Sequence, residues 1–291
     1  MKVARLAPYL FVLLWSTGFV GAKYGLPFAD PFIFLSARIF LAALILLIVA
    51  FVAKSPIAIG RSAIGKSALI GLFLHAAYLG GVFFAISRGL SAGVAAVVTS
   101  LQPVLVSVLA VKYLGEKLRR AQFFGLIIGL SGVILVLSPT LESHVPTAGI
   151  VAITTALLGS TCATLLQKKF GSGIPLLAGT AYQYLASGTV LLIVALLSGG
   201  TSIIWSTKFI FAFIWLIGVL SVGAILLLLW LLNNGSAASV SSLFYLVPPA
   251  TAIEAYFLFG EKLSVQSFVG ILITALGVWL VIKRKATASR A

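Results

Sequence analysis

The tetrapeptide Gly115-Glu116-Lys117-Leu118 recurs as Gly260-Glu261-Lys262-Leu263, 145 residues downstream in a chain of 291. At the same shift Ser91-Ala92 matches Ser236-Ala237, Pro103 matches Pro248, Phe123 matches Phe268 and Gly132-Val133 matches Gly277-Val278. An ungapped run that keeps its Gly, Pro and charged positions is the signature of an internal duplication. The fold must therefore accommodate two copies of one unit, divided here as 1–141 and 142–291.

The solvent of that fold follows from composition. Charged residues make up 9% of the chain and hydrophobic residues 61%, whereas a soluble domain carries about 25% charged residues. A surface this poor in charge belongs in a bilayer. The net charge of +15 sits in short clusters between apolar runs, which reads as membrane topology rather than nucleic-acid binding. With one cysteine, Cys162, and two histidines, His75 and His144, neither a disulfide nor a metal site is expected, and no cofactor motif is present.

About 20 apolar residues cross a bilayer, and ten such runs are found: 6–24, 31–53, 64–86, 91–112, 120–138, 146–167, 175–198, 208–232, 236–258 and 264–283. Only spanning helices satisfy their own backbone in lipid, so the expected fold is an all-α integral membrane protein of ten transmembrane helices. With the N-terminus cytoplasmic, 15 Lys and Arg fall inside and 4 outside, which places both termini in the cytoplasm. Five spans per half is odd, so the second copy must be inserted upside down. The second Gly-Glu-Lys corner carries Ser264 and Val265 where the first carries Arg119 and Arg120, as an outer position would. Inverted five-helix repeats are a hallmark of secondary transporters.

The chain resembles the drug/metabolite transporter superfamily in its ten-helix, EamA-type form. The resemblance rests on Leu14-Trp15-Ser16, Leu101-Gln102-Pro103, Leu114-Gly115-Glu116-Lys117-Leu118, the glycine-rich fifth span, and the second copy from Leu246-Val247-Pro248 to Gly277-Val278. It covers nearly the whole chain and is nearest to the bacterial branch that exports aromatic and other neutral amino acids. It implies a bacterial inner-membrane carrier, a small-molecule substrate, and a central cavity lined by spans 1, 3, 4, 6, 8 and 9. Spans 5 and 10 would pack together, in a monomer or a homodimer surrounded by lipid. Drugs, sugars or nucleosides are alternative cargoes of the same superfamily, and a membrane enzyme using His75 is an alternative of another class.

Polar groups deep in spans mark the candidate substrate site, because a polar group facing lipid without a partner costs several kcal/mol. In the first half these are Trp15, His75, Tyr78, Thr99 and Gln102; His75 and Tyr78, three residues apart, are expected on one helix face. The second half offers Thr161, Gln167, Tyr182, Gln183 and Tyr245, with Thr161 and Tyr245 chosen for the site and Tyr182 and Gln183 for packing. Pro103 and Pro248 sit mid-span, as hinges or fixed kinks. Arg38 and Glu254 are the charges furthest inside spans, candidates for ion coupling, for pairing with each other, or for snorkelling outward. Glu116 and Glu261 are expected to pair with a neighbouring Lys or cap the next helix. Ser91 and Ser236 look like helix N-caps, so Gly89-Leu90-Ser91-Ala92-Gly93 is not read as a hydrolase elbow.

Overall fold

The computed structural model describes residues 2–90, 95, 98–137, 147–259 and 264–282. Among them the chain forms ten helical rods and no strand beyond one isolated bridge, Ala29 to Ile203. The rods are α1 (Lys2–Gly25), α2 (Pro31–Val52), α3 (Arg61–Ser87), α4 (Gln102–Leu114), α5 (Arg120–Leu137), α6 (Thr147–Phe170), α7 (Leu176–Ser198), α8 (Thr207–Asn234), α9 and α10 (Val265–Ile282). The rod α9 is composite: Ala237–Ser241, a 3₁₀ segment Ser242–Leu246, then Val247–Phe259. Five rods, α2, α3, α6, α7 and α8, are long and apolar enough to cross a membrane.

The starts and stops follow local chemistry. Pro31 opens α2, where its missing N–H costs nothing. Ser206 caps α8 by accepting from the Phe209 N–H, and Ser236 does the same for α9 from the Ser239 N–H. Gly115 ends α4 at φ +66°, a left-handed geometry that costs glycine nothing. Ser91 and the corner Gly260-Glu261-Lys262-Leu263 lie outside the described residues. Glu116 departs from the expected local role. Its carboxylate accepts from the Ala237 N–H at 2.8 Å and the Ala238 N–H at 3.5 Å, so it caps the start of α9 in the other half. The open donors of a helix N-terminus attract a carboxylate more strongly than an exposed lysine does.

The rods pack in a pattern that survives exchange of the halves. The rod α5 lies along α10, and α2 along α7. As α3 packs on α6 and α7, so α8 packs on α1 and α2; as α4 packs on α6, so α9 packs on α1. Between α5 and α10 the glycines make the contact: a Cβ on Gly277 would stand 2.3 Å from the Gly129 nitrogen. Without a hydrophobic drive between helices in lipid, such close backbone approach supplies the association.

Among the described residues, and apart from the 3₁₀ turn Leu26–Phe28 that joins α1 to α2, four segments depart from α-helical bonding. Leu72–Leu79 within α3 and Leu216–Ala224 within α8 are π-helical. Their wider i→i+5 turn begins near corresponding places in the two halves, 72 plus 145 being 217. In the first half, Ser100 and Leu101 form a turn just before the helix restarts at Gln102-Pro103. In the second, the 3₁₀ segment Ser242–Leu246 precedes Val247-Pro248. The two prolines therefore stand in the first turn of a restarted helix, not in the middle of a continuous one. There the absent N–H breaks no ladder.

Candidate functional site

Both interruptions beside the prolines open onto the same space. A cavity with about 380 Å³ of empty volume is lined by Trp15 of α1, Tyr78 of α3, Thr99, Ser100 and Gln102 around the first break, Ser160 of α6, and Phe244, Val247 and Pro248 around the second. Non-helical backbone at membrane depth is tolerated where it borders such a cavity.

Aromatic rings form one wall. Trp15 lies nearly parallel to Tyr78, with centroids 6.5 Å apart and planes 8° apart. Phe244 meets Trp15 edge-on at 5.3 Å. Hydrogen-bonding groups face them. The Gln102 Nε2 donates to the Thr164 hydroxyl at 3.0 Å, while its Oε1 is buried with no partner among the described residues. An unmatched buried carbonyl is costly and is suited to accept from a bound N–H or O–H. The Thr99 hydroxyl donates to the Ala95 carbonyl at 2.9 Å.

On the far side of the Trp15–Tyr78 pair lies a second cavity, with about 500 Å³ of empty volume, bounded by Gly18, Arg38, Val82, Phe83 and Leu220 among others. Trp15 and Tyr78 line both cavities. A third, polar recess of about 750 Å³ sits at the other end of the bundle, among Ser107, Glu116, Lys117, Gln122, Lys168 and Asn233. Between it and the centre runs a chain of amides: Gln183 donates to Gln167 at 3.3 Å and Gln167 to Asn233 at 3.1 Å.

Of the residues picked from the sequence, Trp15, Tyr78, Thr99, Gln102 and Pro248 border the central cavity. Pro103, Arg38 and Glu254 do not, and neither do the substrate-site candidates His75, Thr161 and Tyr245. His75 is fully buried, and its ring packs on Tyr184 of α7 at 4.6 Å. It leaves the Tyr78 face because both residues lie in the π segment, whose wider turn separates positions three apart. Thr161 donates to the Leu157 carbonyl at 2.8 Å, and its neighbour Ser160 borders the cavity in its place. Tyr245 is fully buried; a Cβ on Gly129 of α5 would meet its ring at 2.6 Å, and its hydroxyl has no partner among the described residues. The 3₁₀ winding turns Tyr245 toward α5 and presents Phe244 to the cavity. Ser100, Phe244 and Val247 were not anticipated, since a helical periodicity drawn through a break assigns the wrong faces.

The two intramembrane charges do not pair. The Ser16 hydroxyl donates to Glu254 Oε1 at 2.5 Å. Arg38 is 3% exposed, faces inward rather than snorkelling, and donates from Nε to the Ser221 hydroxyl at 2.8 Å. Each charge is held by a hydroxyl on a different rod.

The sequence matches the EamA-like transporter family twice, over residues 5–138 and 147–283. Among curated relatives, the uncharacterized transporter YvbV of Bacillus subtilis is 24% identical, covering 100% of this chain and 94% of that protein. The uncharacterized inner membrane transporter YedA of Escherichia coli K12 is 28% identical, covering 97% and 92%. A protein of the same organism named as a probable amino-acid metabolite efflux pump is 24% identical, covering 93% and 92%. One solved crystal structure superposes with a TM-score of 0.82 at 18% identity, covering 96% of each chain, which relates the two folds.

Proposed function

The chain belongs to the EamA-like transporter family, and from that premise we propose that this small-molecule transporter exports small neutral metabolites, aromatic and other neutral amino acids foremost, across the bacterial inner membrane by alternating access. The observation that carries the proposal is the central cavity, bordered by the interrupted helix of each half and walled by Trp15, Tyr78 and Phe244 opposite the Gln102 amide. An aromatic wall takes an apolar side chain, and Gln102 and Thr99 take hydrogen-bonding ends. Export of amino-acid metabolites is named for one relative, which supports the cargo class.

The ten rods span the membrane as two inverted five-helix repeats with both termini cytoplasmic. Support comes from the packing that survives exchange of the halves, the paired π segments, and the family's two matches, one in each half. The recess at Glu116 and Lys168 then opens to the cytoplasm, and the cavity at Arg38 lies toward the outside. Pro103 and Pro248 act as the hinges, each beside an interruption where rotation of the backbone breaks few hydrogen bonds.

Counterflow in liposomes tests this. The purified protein is reconstituted with unlabelled solute inside, and uptake of labelled solute is followed over a panel of amino acids, sugars and nucleosides. Transient accumulation is expected for phenylalanine and other neutral amino acids. Accumulation of sugars or nucleosides alone would refute the assignment.

A further inference from the structure

Arg38 has a charge that the described protein does not neutralise. Its Nε donates to Ser221, and among the described residues no carboxylate forms an ion pair with the guanidinium. Asp30 accepts from the Ser202 N–H, Glu116 caps Ala237, and Glu254 accepts from Ser16. An intramembrane charge is costly and marks a functional position. This one is built in: Ser221 lies in the π segment of α8, and the Tyr184 hydroxyl donates to its carbonyl, so the group that orients Arg38 is itself fixed from α7.

Arg38 borders the outer cavity, where it is the one charged side chain among the described residues; the remaining described lining is Trp15, Tyr78 and apolar residues such as Val82, Phe83 and Leu220. We propose that Arg38 binds the carboxylate of the transported molecule in this second cavity, making it the exit-side subsite for monocarboxylates with an apolar or aromatic body. The proposal rests on the carrier reading above and adds a chemical class to it. A guanidinium presents a planar fork matched to a carboxylate. One such group, with no other cation among the described lining residues, suits a single negative charge. The faces of Trp15 and Tyr78, shared with the central cavity, offer cation–π contact to the ammonium of a zwitterion. A neutral amino acid thus has a place for each of its three parts.

The test uses the full chain in detergent and in liposomes, with three matched probes: L-phenylalanine, 3-phenylpropionate, which keeps the carboxylate alone, and L-phenylalaninol, which keeps the amine alone. Ligand-induced thermal shift should show both carboxylates binding about 10- to 100-fold more tightly than the alcohol, the range of a charge-assisted bond. Arg38→Gln should erase that preference and leave phenylalaninol binding within about threefold, since its contacts are with the rings. Equal affinity of the wild type for all three probes would overturn the proposal, with no variant needed. So would an Arg38→Gln protein that keeps the preference. If Arg38→Gln fails to fold, Ser221→Ala removes the orienting contact and should reduce the preference; an unchanged preference counts against the assignment. Counterflow separates this from the carrier reading: transport without carboxylate preference sinks only the role of Arg38, whereas selective binding without transport of any panel member sinks only the carrier.

Discussion

Gly277→Ala places one methyl group where α10 crosses α5. The new carbon would stand 2.3 Å from the Gly129 nitrogen, 2.5 Å from its Cα and 2.7 Å from the Gly125 carbonyl oxygen, whereas ordinary contact begins near 3.4 Å. All three are backbone atoms, so no side chain can rotate away, and the rods must separate by about 1 Å along the contact that gives the pair its attraction. Overpacking of this kind costs about 1–3 kcal/mol. It overrides the roughly 1 kcal/mol by which alanine outranks glycine in a helix. Gly65→Ala is the control, because that position in α3 has nothing within 4 Å and should show the propensity gain alone. The propensity gain is common to both variants, so Gly277→Ala should fall below Gly65→Ala by the overpacking cost alone, about 1–3 kcal/mol, read as unfolding midpoints of purified protein in detergent. A Gly277→Ala protein as stable as Gly65→Ala would show that α5 and α10 do not meet backbone to backbone.

The remaining expectations concern the site and the topology. Gln102→Leu removes the open carbonyl in the central cavity and should weaken substrate binding about tenfold, the worth of about 1.4 kcal/mol, while Thr164→Val, which removes only the partner behind it, should cost less; equal losses would assign Gln102 to packing. Glu116→Ala uncaps α9 and should lower stability by about 1–2 kcal/mol, with Glu116→Gln retaining part of the cap; thermal melting of both decides it. Glu254 is read as the structural partner of Ser16, so counterflow should proceed at the same rate with and without a pH gradient and Glu254→Gln should change it by less than about threefold, far short of the 10²–10⁴ associated with a proton-transfer group. In a Cys162→Ser background, Lys117→Cys should react with impermeant maleimide from the cytoplasmic side and Thr201→Cys from the outside; the same side for both would refute the inverted arrangement.

Much of the architecture could be read from apolar run length alone, because a bilayer sets the length of a helix. The resemblance implied that spans 5 and 10 pack together, and the glycine faces, Gly125, Gly129 and Gly132 with Gly270 and Gly277, fitted that contact or a dimer seam; the structure brings α5 and α10 together at Gly125, Gly129 and Gly277. The first-half lining was visible as well: Trp15, Tyr78, Thr99 and Gln102 are amphipathic residues with no reason to face lipid, and they border one cavity. The misplaced faces in both halves have a physical cause. A helix with lipid on one side and apolar protein on the other has little periodicity to show which way it faces, so the π segments left no mark in composition. His75 was assigned to Tyr78's face on α-helical spacing that does not hold there, and Tyr245 was assigned to the cavity across a 3₁₀ segment that turns it to α5. The partner of Glu116 was equally hidden, since an N-terminus 121 residues away competes with a lysine next door only once the fold brings it near.

The interruptions and the cavities are two aspects of one constraint. In lipid a backbone cannot leave helical bonding unless protein or an enclosed space takes up the freed groups, and each of the four irregular segments here lies at such a place. The turn at Ser100 and the 3₁₀ segment ending at Leu246 border the central cavity through Ser100 and Phe244. The π segments supply Tyr78 to both cavities and Ser221 to Arg38. Each half thus contributes one interruption beside a proline and one widened turn, at positions related by the 145-residue shift that relates the sequences. If the halves exchange conformations, the residues that change are those that touch the solute, and the intervening stretches of regular helix transmit the movement as rods. Trp15 occupies the junction of this scheme: it borders both cavities, stacks on the first π segment through Tyr78 and meets the second-half break through Phe244. On the proposed route from Gln102 to Arg38 a solute would displace its ring, and Trp15 would be the point where movement of either half is felt by the other.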